Sequence, residues 1–506
     1  MLASQEHIDI LKSGVGKWNK WRKENKTTKP KLAFVCLRGA DLGKADLAGA
    51  DLSGADLAGA HLVGAKLAGA HLAGAHLTGT NIAGTNIGVA NFQGANLRGA
   101  NLRLCNLEGA DLAGADLAGA DLAGTIARKV NLRGADLCLA DLTGADLTGA
   151  DLTGANVRGT NFEEAILADA HLAETDLAGT NLSGAKLAGA ILKGANLRGA
   201  IFQGADLRGT DLWLADLSGA HLTGTNLERA HLEGAILRGA NLQLANLERA
   251  HLEGAYLRGA NLVGVNLEKA NLEGAYLAGA RFREANIRGA ILRRADLRLS
   301  DLRESNFEGA FLAGANFAGA NFQGVNLRGA DLQLANLDRA NLERVNLAAA
   351  NIAGANLAGA HLEGADLAGA DLAGANLAGA HLEGADLAGA KLEGAFLSGA
   401  FFGNANLYSA DLSRAVLRET DLAGANLVEA DLRGINLRGV GLRKVSSLYK
   451  IKFDKDYLSE LKIKGAEKLA TIWNDAKKDW VIDTTLLEKI KKPDWHGWPE
   501  GKEQGK

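Results

Sequence analysis

The chain of 506 residues contains three prolines, one methionine and three cysteines. Cys36, Cys105 and Cys138 are too few and too unpatterned for a disulfide framework or a zinc site. No apolar run approaches the ~18 residues that a membrane span needs, so no membrane contact is expected. Residues 1–10 carry Glu6, His7 and Asp9 and offer no apolar signal-peptide core, which makes a cytoplasmic location the expectation. Glycine is plentiful at 65 residues, yet it does not recur at every third position, and collagen is excluded.

Charge divides the chain into three segments. Residues 1–35 carry +5 and residues 443–506 carry +4, which leaves −12 on residues 36–442 out of a total of −3. Six of the seven tryptophans and all three prolines lie in the two end segments. One long middle body with two chemically different ends is the expected organisation.

The middle body repeats with a period of five. From Leu37 to Leu442 every fifth residue is apolar, 82 positions in all, and leucine fills 68 of them. The only small one is Ala127. The residue two before each is small and never charged, the one just before is usually Asp or Asn, and the last of the five is usually Gly. On an α-helix, successive positions of such a pattern would rotate by ~140° and form no face. On a strand they would alternate between opposite faces. The chain must therefore turn once per unit, with Asp/Asn and Gly as the residues that tolerate the turn.

A second period of twenty shows how many units close a coil. Residues 226–245 (NLERAHLEGAILRGANLQLA) nearly duplicate residues 246–265, and 361–380 nearly duplicate 381–400. Four units per turn predict a four-sided coil whose neighbouring turns pair as parallel strands about 4.8 Å apart. About twenty such turns would make a rod on the order of 97 Å long. The open ends of a coil need caps. Ile8, Leu11, Val15 and Trp18 share one helical face with Ser4 as N-cap, which predicts an N-terminal cap helix. Leu458, Leu461, Leu469, Ile472, Trp473, Ala476 and Trp480 predict a second amphipathic helix, and 493–506 a loose tail.

The Ala-Asp/Asn-Leu-x-Gly unit resembles the signature of the pentapeptide-repeat family over residues 36–442. The resemblance implies a right-handed quadrilateral parallel β-helix, an all-β solenoid, here with short α-helical caps at 1–35 and 443–506. It implies no particular activity. The best-studied members of that family protect DNA gyrase from quinolones by mimicking duplex DNA, and they are shorter and dimeric. A DNA-mimic or gyrase-binding protein of the quinolone-resistance type is thus the alternative reading. Duplex DNA carries about one charge per 1.7 Å, roughly 57 over ~97 Å, against a net twelve here. Acids and bases are also interspersed, which weighs against mimicry.

Positions that recur every twenty residues sort the outward side chains into four faces. The central outward position of one of them holds nine arginines, Arg38, Arg98, Arg158, Arg198, Arg238, Arg258, Arg298, Arg418 and Arg438, against one acid, Asp338. Six aspartates stand just before the leucines of that face, so nucleic-acid binding is not expected. Within it, Ile236, Tyr256 and Tyr276 fall on successive turns beside Arg238 and Arg258, as either a stabilising ladder or a docking site. Phe396, Phe401, Tyr408 and Val416 form a second outward apolar group, to be covered by the C-terminal helix or by another chain. Two histidine pairs, His231/His251 and His361/His381, stack on adjacent turns and read as surface substitutions. Glu228, Glu248 and Glu268, beside Arg229, Arg249 and Lys269, read as compensated surface charge. No catalytic, cofactor-binding or metal-ligating residue is assigned. The expectation is a non-catalytic scaffold for a protein partner, with homo-oligomerisation through the terminal segments open.

Overall fold

The computed structural model describes residues 3–437, 440, 445–454, 471–474 and 479–482, together with 485 and 488. The chain divides into two compact units, residues 1–261 and 262–506.

Within both units the pentapeptide acts alike. The residue at the Asp/Asn position bridges, in parallel, the residue twenty farther on: Asp41 with His61 in the first unit, Asp366 with Asp386 in the second. Four pentapeptides complete one turn, and each face adds a single rung rather than a long strand. The leucine that follows points inward and donates its N–H to the next turn, as Leu37 does to the Asp56 carbonyl at 2.7 Å and Leu367 to Asp386 at 2.7 Å. The small residue then closes a tight turn onto the leucine carbonyl, Ala40 N–H to Leu37 O at 3.1 Å. The residue before it holds a positive φ, 62° at Gly39 and 64° at Gly364. A type II turn needs that conformation, and glycine adopts it without steric cost.

Asp and Asn do more than tolerate the turn. Their side-chain oxygen accepts the backbone N–H two residues on, at 3.1 Å from Gly43 to Asp41 and 3.0 Å from Glu343 to Asn341. Asn also brings a donor that Asp lacks. Asn131 Nδ2 donates to Asp111 Oδ1 at 3.0 Å and Asn376 Nδ2 to Asn356 Oδ1 at 2.9 Å, tying each turn to the one before.

The interior is predominantly apolar. Leu47, Leu57, Phe92, Phe162 and Phe202 are fully buried in the first unit, and Phe282, Phe317 and Phe402 in the second. Each such side chain contributes about 1.5–3 kcal/mol by leaving water. Threonine fits the small inward site because its hydroxyl reaches a leucine carbonyl: Thr80 to Leu57 O at 3.1 Å, Thr180 to Leu177 O at 2.8 Å.

The coil starts earlier than the leucine count indicates. Leu32 is in phase with Leu37 and fully buried, and Lys31 bridges Asp51. The single N-terminal helix expected from the sequence is two helices, α1 (Gln5–Lys12) and α2 (Val15–Glu24). Gly14, at φ 116°, breaks them, so Ile8 and Leu11 belong to one helix and Val15 and Trp18 to the other. Ser4 does cap α1, accepting from the His7 N–H. Helix α2 takes up backbone groups of the first turn that have no preceding turn to pair with. Trp18 Nε1 donates to Asp46 O at 2.8 Å, and Asn19 exchanges hydrogen bonds with Lys44 O at 2.9 Å and Asp46 N–H at 2.7 Å. The buried Arg22 guanidinium donates to the carbonyls of Thr28, Asp46 and Ala48 at 2.8, 3.1 and 2.9 Å.

At the other end of the second unit the coil continues past 442, with one slip. Ser447 bridges Asn426 and Lys452 bridges Asp431, a spacing of 21 instead of 20, and Val445, Leu448 and Ile451 are buried. The C-terminal helix expected around 458–480 is corrected in its described part. Residues there form two antiparallel strands, β1 (Thr471–Asn474) and β2 (Asp479–Ile482), with Trp473 opposite Trp480. Ile472, Trp473, Trp480, Val481 and Ile482 are β-branched or aromatic and favour a pleated backbone, which outweighs the helical spacing. Leu458, Leu461, Leu469 and Ala476, and the tail expected at 493–506, lie outside the described residues. No helix among the described residues is long and apolar enough to cross a membrane.

Candidate functional site

Outward side chains answer first to the twenty-residue ladder. A side chain two residues after a bridge leans toward the next turn and meets whatever stands at that bridge. In the arginine column of the first unit, Arg38, Arg98, Arg158 and Arg198 reach Asp56, Asp116, Asp176 and Asp216 at 3.3, 3.6, 3.5 and 3.6 Å. In the second unit, Arg298 turns back onto Asp296 at 2.7 Å and Arg418 onto Glu419 at 3.2 Å. Arg438 lies outside the described residues. Other columns use the same pairing, as in Arg128–Asp146 at 2.6 Å. The guanidinium of Arg303 holds the Asp301 carboxyl below the usual carboxylate range, and Arg208 does the same to Asp206. Glu228, Glu248 and Glu268 meet Arg229, Arg249 and Lys269 at 3.6, 3.6 and 3.4 Å.

Arg238 departs from this pattern. Its guanidinium lies 5.7 Å from the centroid of the Tyr256 ring, within cation–π range. Ile236 bridges Tyr256 across adjacent turns, Tyr256 is 37% exposed, and Arg258 beside it is exposed. Tyr276 stands in the second unit, bridged to Asp296 and 48% exposed. The second apolar group divides between columns. Phe396 and Val416 bridge each other and are both exposed. Phe401 belongs to a different column, where its ring stacks on His381 at 4.7 Å and 13°. Tyr408 donates its hydroxyl to Glu429 Oε2 at 3.1 Å.

The histidine pairs bring in residues that the spacing alone left out. His231 and His251 stack at 5.0 Å with ring planes 3° apart; His361 and His381 do so at 4.9 Å and 6°. Each is followed two residues later by a glutamate whose carboxylate faces its Nδ1. The separations are 3.3 Å to Glu233, 3.4 Å to Glu253, 3.0 Å to Glu363 and 3.4 Å to Glu383. Donor atoms of Glu233, His251 and Glu253 lie within 4.8 Å of one another, as do those of Glu363, His381 and Glu383. The signal was present in the sequence. His-Leu-Glu-Gly-Ala occurs at 231, 251, 361 and 381, and no other histidine has a glutamate two residues on.

Comparison with known proteins agrees with this repeat. A family described as pentapeptide repeats (8 copies) matches in overlapping segments from residue 36 to residue 439. Among solved structures, the chain is similar to HetL of Nostoc sp. strain PCC 7120, a pentapeptide repeat protein involved in heterocyst differentiation regulation. That match has 36% identity, covers 47% of this chain and 88% of HetL, and has a TM-score of 0.15. A plasmid-mediated fluoroquinolone resistance protein, QnrB1, matches at 21% identity over 48% of this chain and 93% of its own, with a TM-score of 0.20. A pentapeptide repeat protein from the Arabidopsis thaliana thylakoid lumen matches at 28% identity over 28% of this chain and 68% of its own, with a TM-score of 0.11. No curated protein matches.

Proposed function

This chain belongs to the pentapeptide-repeat family, and from that premise we propose that it is a non-catalytic scaffold that presents repeated surface side chains to a protein partner in the cytoplasm. The family is a repeat family rather than a catalytic one. The observation that carries the reading is the change of partner along one column. Arg38, Arg98, Arg158 and Arg198 are satisfied by an aspartate of the next turn, whereas Arg238 faces the exposed ring of Tyr256. Charge paired in place leaves little for a phosphate backbone or a DNA-binding protein to attract. Tyrosine and arginine are both among the residue types enriched at protein-interface hot spots.

The test is affinity capture with the wild-type chain and an Arg238→Ala/Tyr256→Ala variant. A specific protein that the wild type retains and the variant loses supports the reading; equal recovery of every bound protein removes it. A gyrase supercoiling assay separates the alternative, since inhibition by the chain would favour a gyrase-binding protein.

A further inference from the structure

Two clusters on the outer surface have the wrong charge balance for solvated ladders. Glu228 and Glu248 each have a cation beside them on the chain. Glu233, Glu363 and Glu383 have instead an imidazole at Oε1 and an Oε2 that is shielded from solvent and has no hydrogen-bond partner among the described residues. A carboxylate oxygen withdrawn from water without a donor is costly, and a cation is what would satisfy it.

The ladder supplies the rest of the site. Glu233 comes from one turn and His251 and Glu253 from the next; Glu363, His381 and Glu383 repeat the arrangement in the second unit. The bridges His231–His251 and His361–His381 fix the backbone spacing, so only side-chain torsions need adjust. Ligands ~2.1 Å from a tetrahedral ion stand ~3.4 Å apart, which carboxylate rotation reaches from a spread of 4.8 Å. Two carboxylate oxygens and one imidazole nitrogen form a mixed N/O set suited to a borderline divalent ion of the zinc type. His231 and His361, each against the first carboxylate, act as positioning residues.

We propose that each cluster binds one divalent transition-metal ion, Glu233/His251/Glu253 in the first unit and Glu363/His381/Glu383 in the second, and that each ion staples two successive turns. This does not depend on the scaffold reading above, and neither site implies a reaction.

The experiment is titration of the untagged full-length chain with Zn2+ alone, after chelator treatment, read by calorimetry. The wild type takes up two ions. The E233Q/E253Q variant and the E363Q/E383Q variant each take up one, and the variant with all four substitutions takes up none at these sites. The substitutions lie on the surface, and an unchanged thermal unfolding curve without metal shows that each variant is folded. Uptake below one ion by the wild type, or uptake that the fourfold variant leaves unchanged, overturns the proposal. Loss in only one of the paired variants overturns it for the other cluster.

Discussion

Leu104 lies over Gly124 of the next turn, so closely that a Cβ added to Gly124 would meet Leu104 Cδ2 at 2.8 Å. Leu104 itself occupies the glycine station of its pentapeptide, at φ 56°, and is largely exposed. The same relationship joins Leu214 to Gly234 at 2.7 Å and Leu334 to Gly354 at 2.9 Å. An exposed leucine at a corner is thus accommodated by a glycine twenty residues on.

Replacement of Gly124 by alanine should cost about as much as replacement of Gly114, where φ is 64° and nothing among the described residues lies within 4 Å. The atom met at Gly124 is the free end of the largely exposed Leu104 side chain, which can turn away. Both substitutions place an L side chain in the left-handed region, at about 1–2 kcal/mol. Gly124→Ala has in addition only to displace the exposed end of Leu104. Urea unfolding of Gly114→Ala, Gly124→Ala and Leu104→Ala/Gly124→Ala checks this. Similar losses at the two glycines are expected; a loss at Gly124 well above that at Gly114, recovered in the double variant, would show that Leu104 cannot turn away.

Thr125 is a buried threonine whose hydroxyl has no hydrogen-bond partner among the described residues, whereas Thr80 reaches the Leu57 carbonyl. Substitution by valine keeps the shape and deletes the hydroxyl. Thr125→Val is expected to stabilise the protein by up to about 1 kcal/mol and Thr80→Val to destabilise it by about as much. Thermal unfolding of the two variants should show shifts of opposite sign.

Burial raises the Cys105 thiol to about 11, and its sulfur donates to the Ile82 carbonyl at 2.9 Å. Cys36 is exposed and Cys138 half-buried. A disulfide reagent at pH 8 should titrate two thiols in the folded chain and the third only after unfolding. Rapid reaction of all three would contradict the buried station assigned to Cys105.

Burial holds His7 below its ordinary value of 6.5, and its Nδ1 accepts the Lys31 N–H at 3.0 Å, which requires the neutral ring. The unfolded segment binds the proton more readily than the folded one. The contribution of His7 is therefore present above 6.5 and is lost as pH falls through the lowered folded value. Hydrogen exchange over residues 25–35 should accelerate on going from pH 7.5 to pH 5, after correction for intrinsic rates. A His7→Gln variant should lack that additional acceleration.

The coil was legible because a single register, Leu37 to Leu442, admits one geometry; the turn position of Gly39 and the acceptor role of Asp41 follow from the same spacing. Where the sequence leaves that register, inference weakened. Leu32 is in phase, but Pro30 and Lys31 stand where the unit has its small residue and its Asp or Asn. The slip that makes Leu448 an inward residue inserts one position, which a strict period reads as an ending. Gly14 can be tolerated in a helix or can end one, and only its φ of 116° decides. Trp473 and Trp480 satisfy a helical spacing and a cross-strand pair equally well. The clusters at His251 and His381 were half visible: stacking of the rings follows from the twenty-residue period. The approach of Glu233 and Glu363 depends on how a side chain two residues after a bridge leans.

Protein binding is expected to concentrate around Arg238, whose partner is Tyr256 rather than an aspartate. Hydrogen-exchange footprinting of the chain in complex with its captured partner tests this most directly. Protection is expected across residues 231–260, around Arg238 and Tyr256, with little change across 91–120, where Arg98 is paired with Asp116. Protection over 91–120 with none over 231–260 would contradict the account.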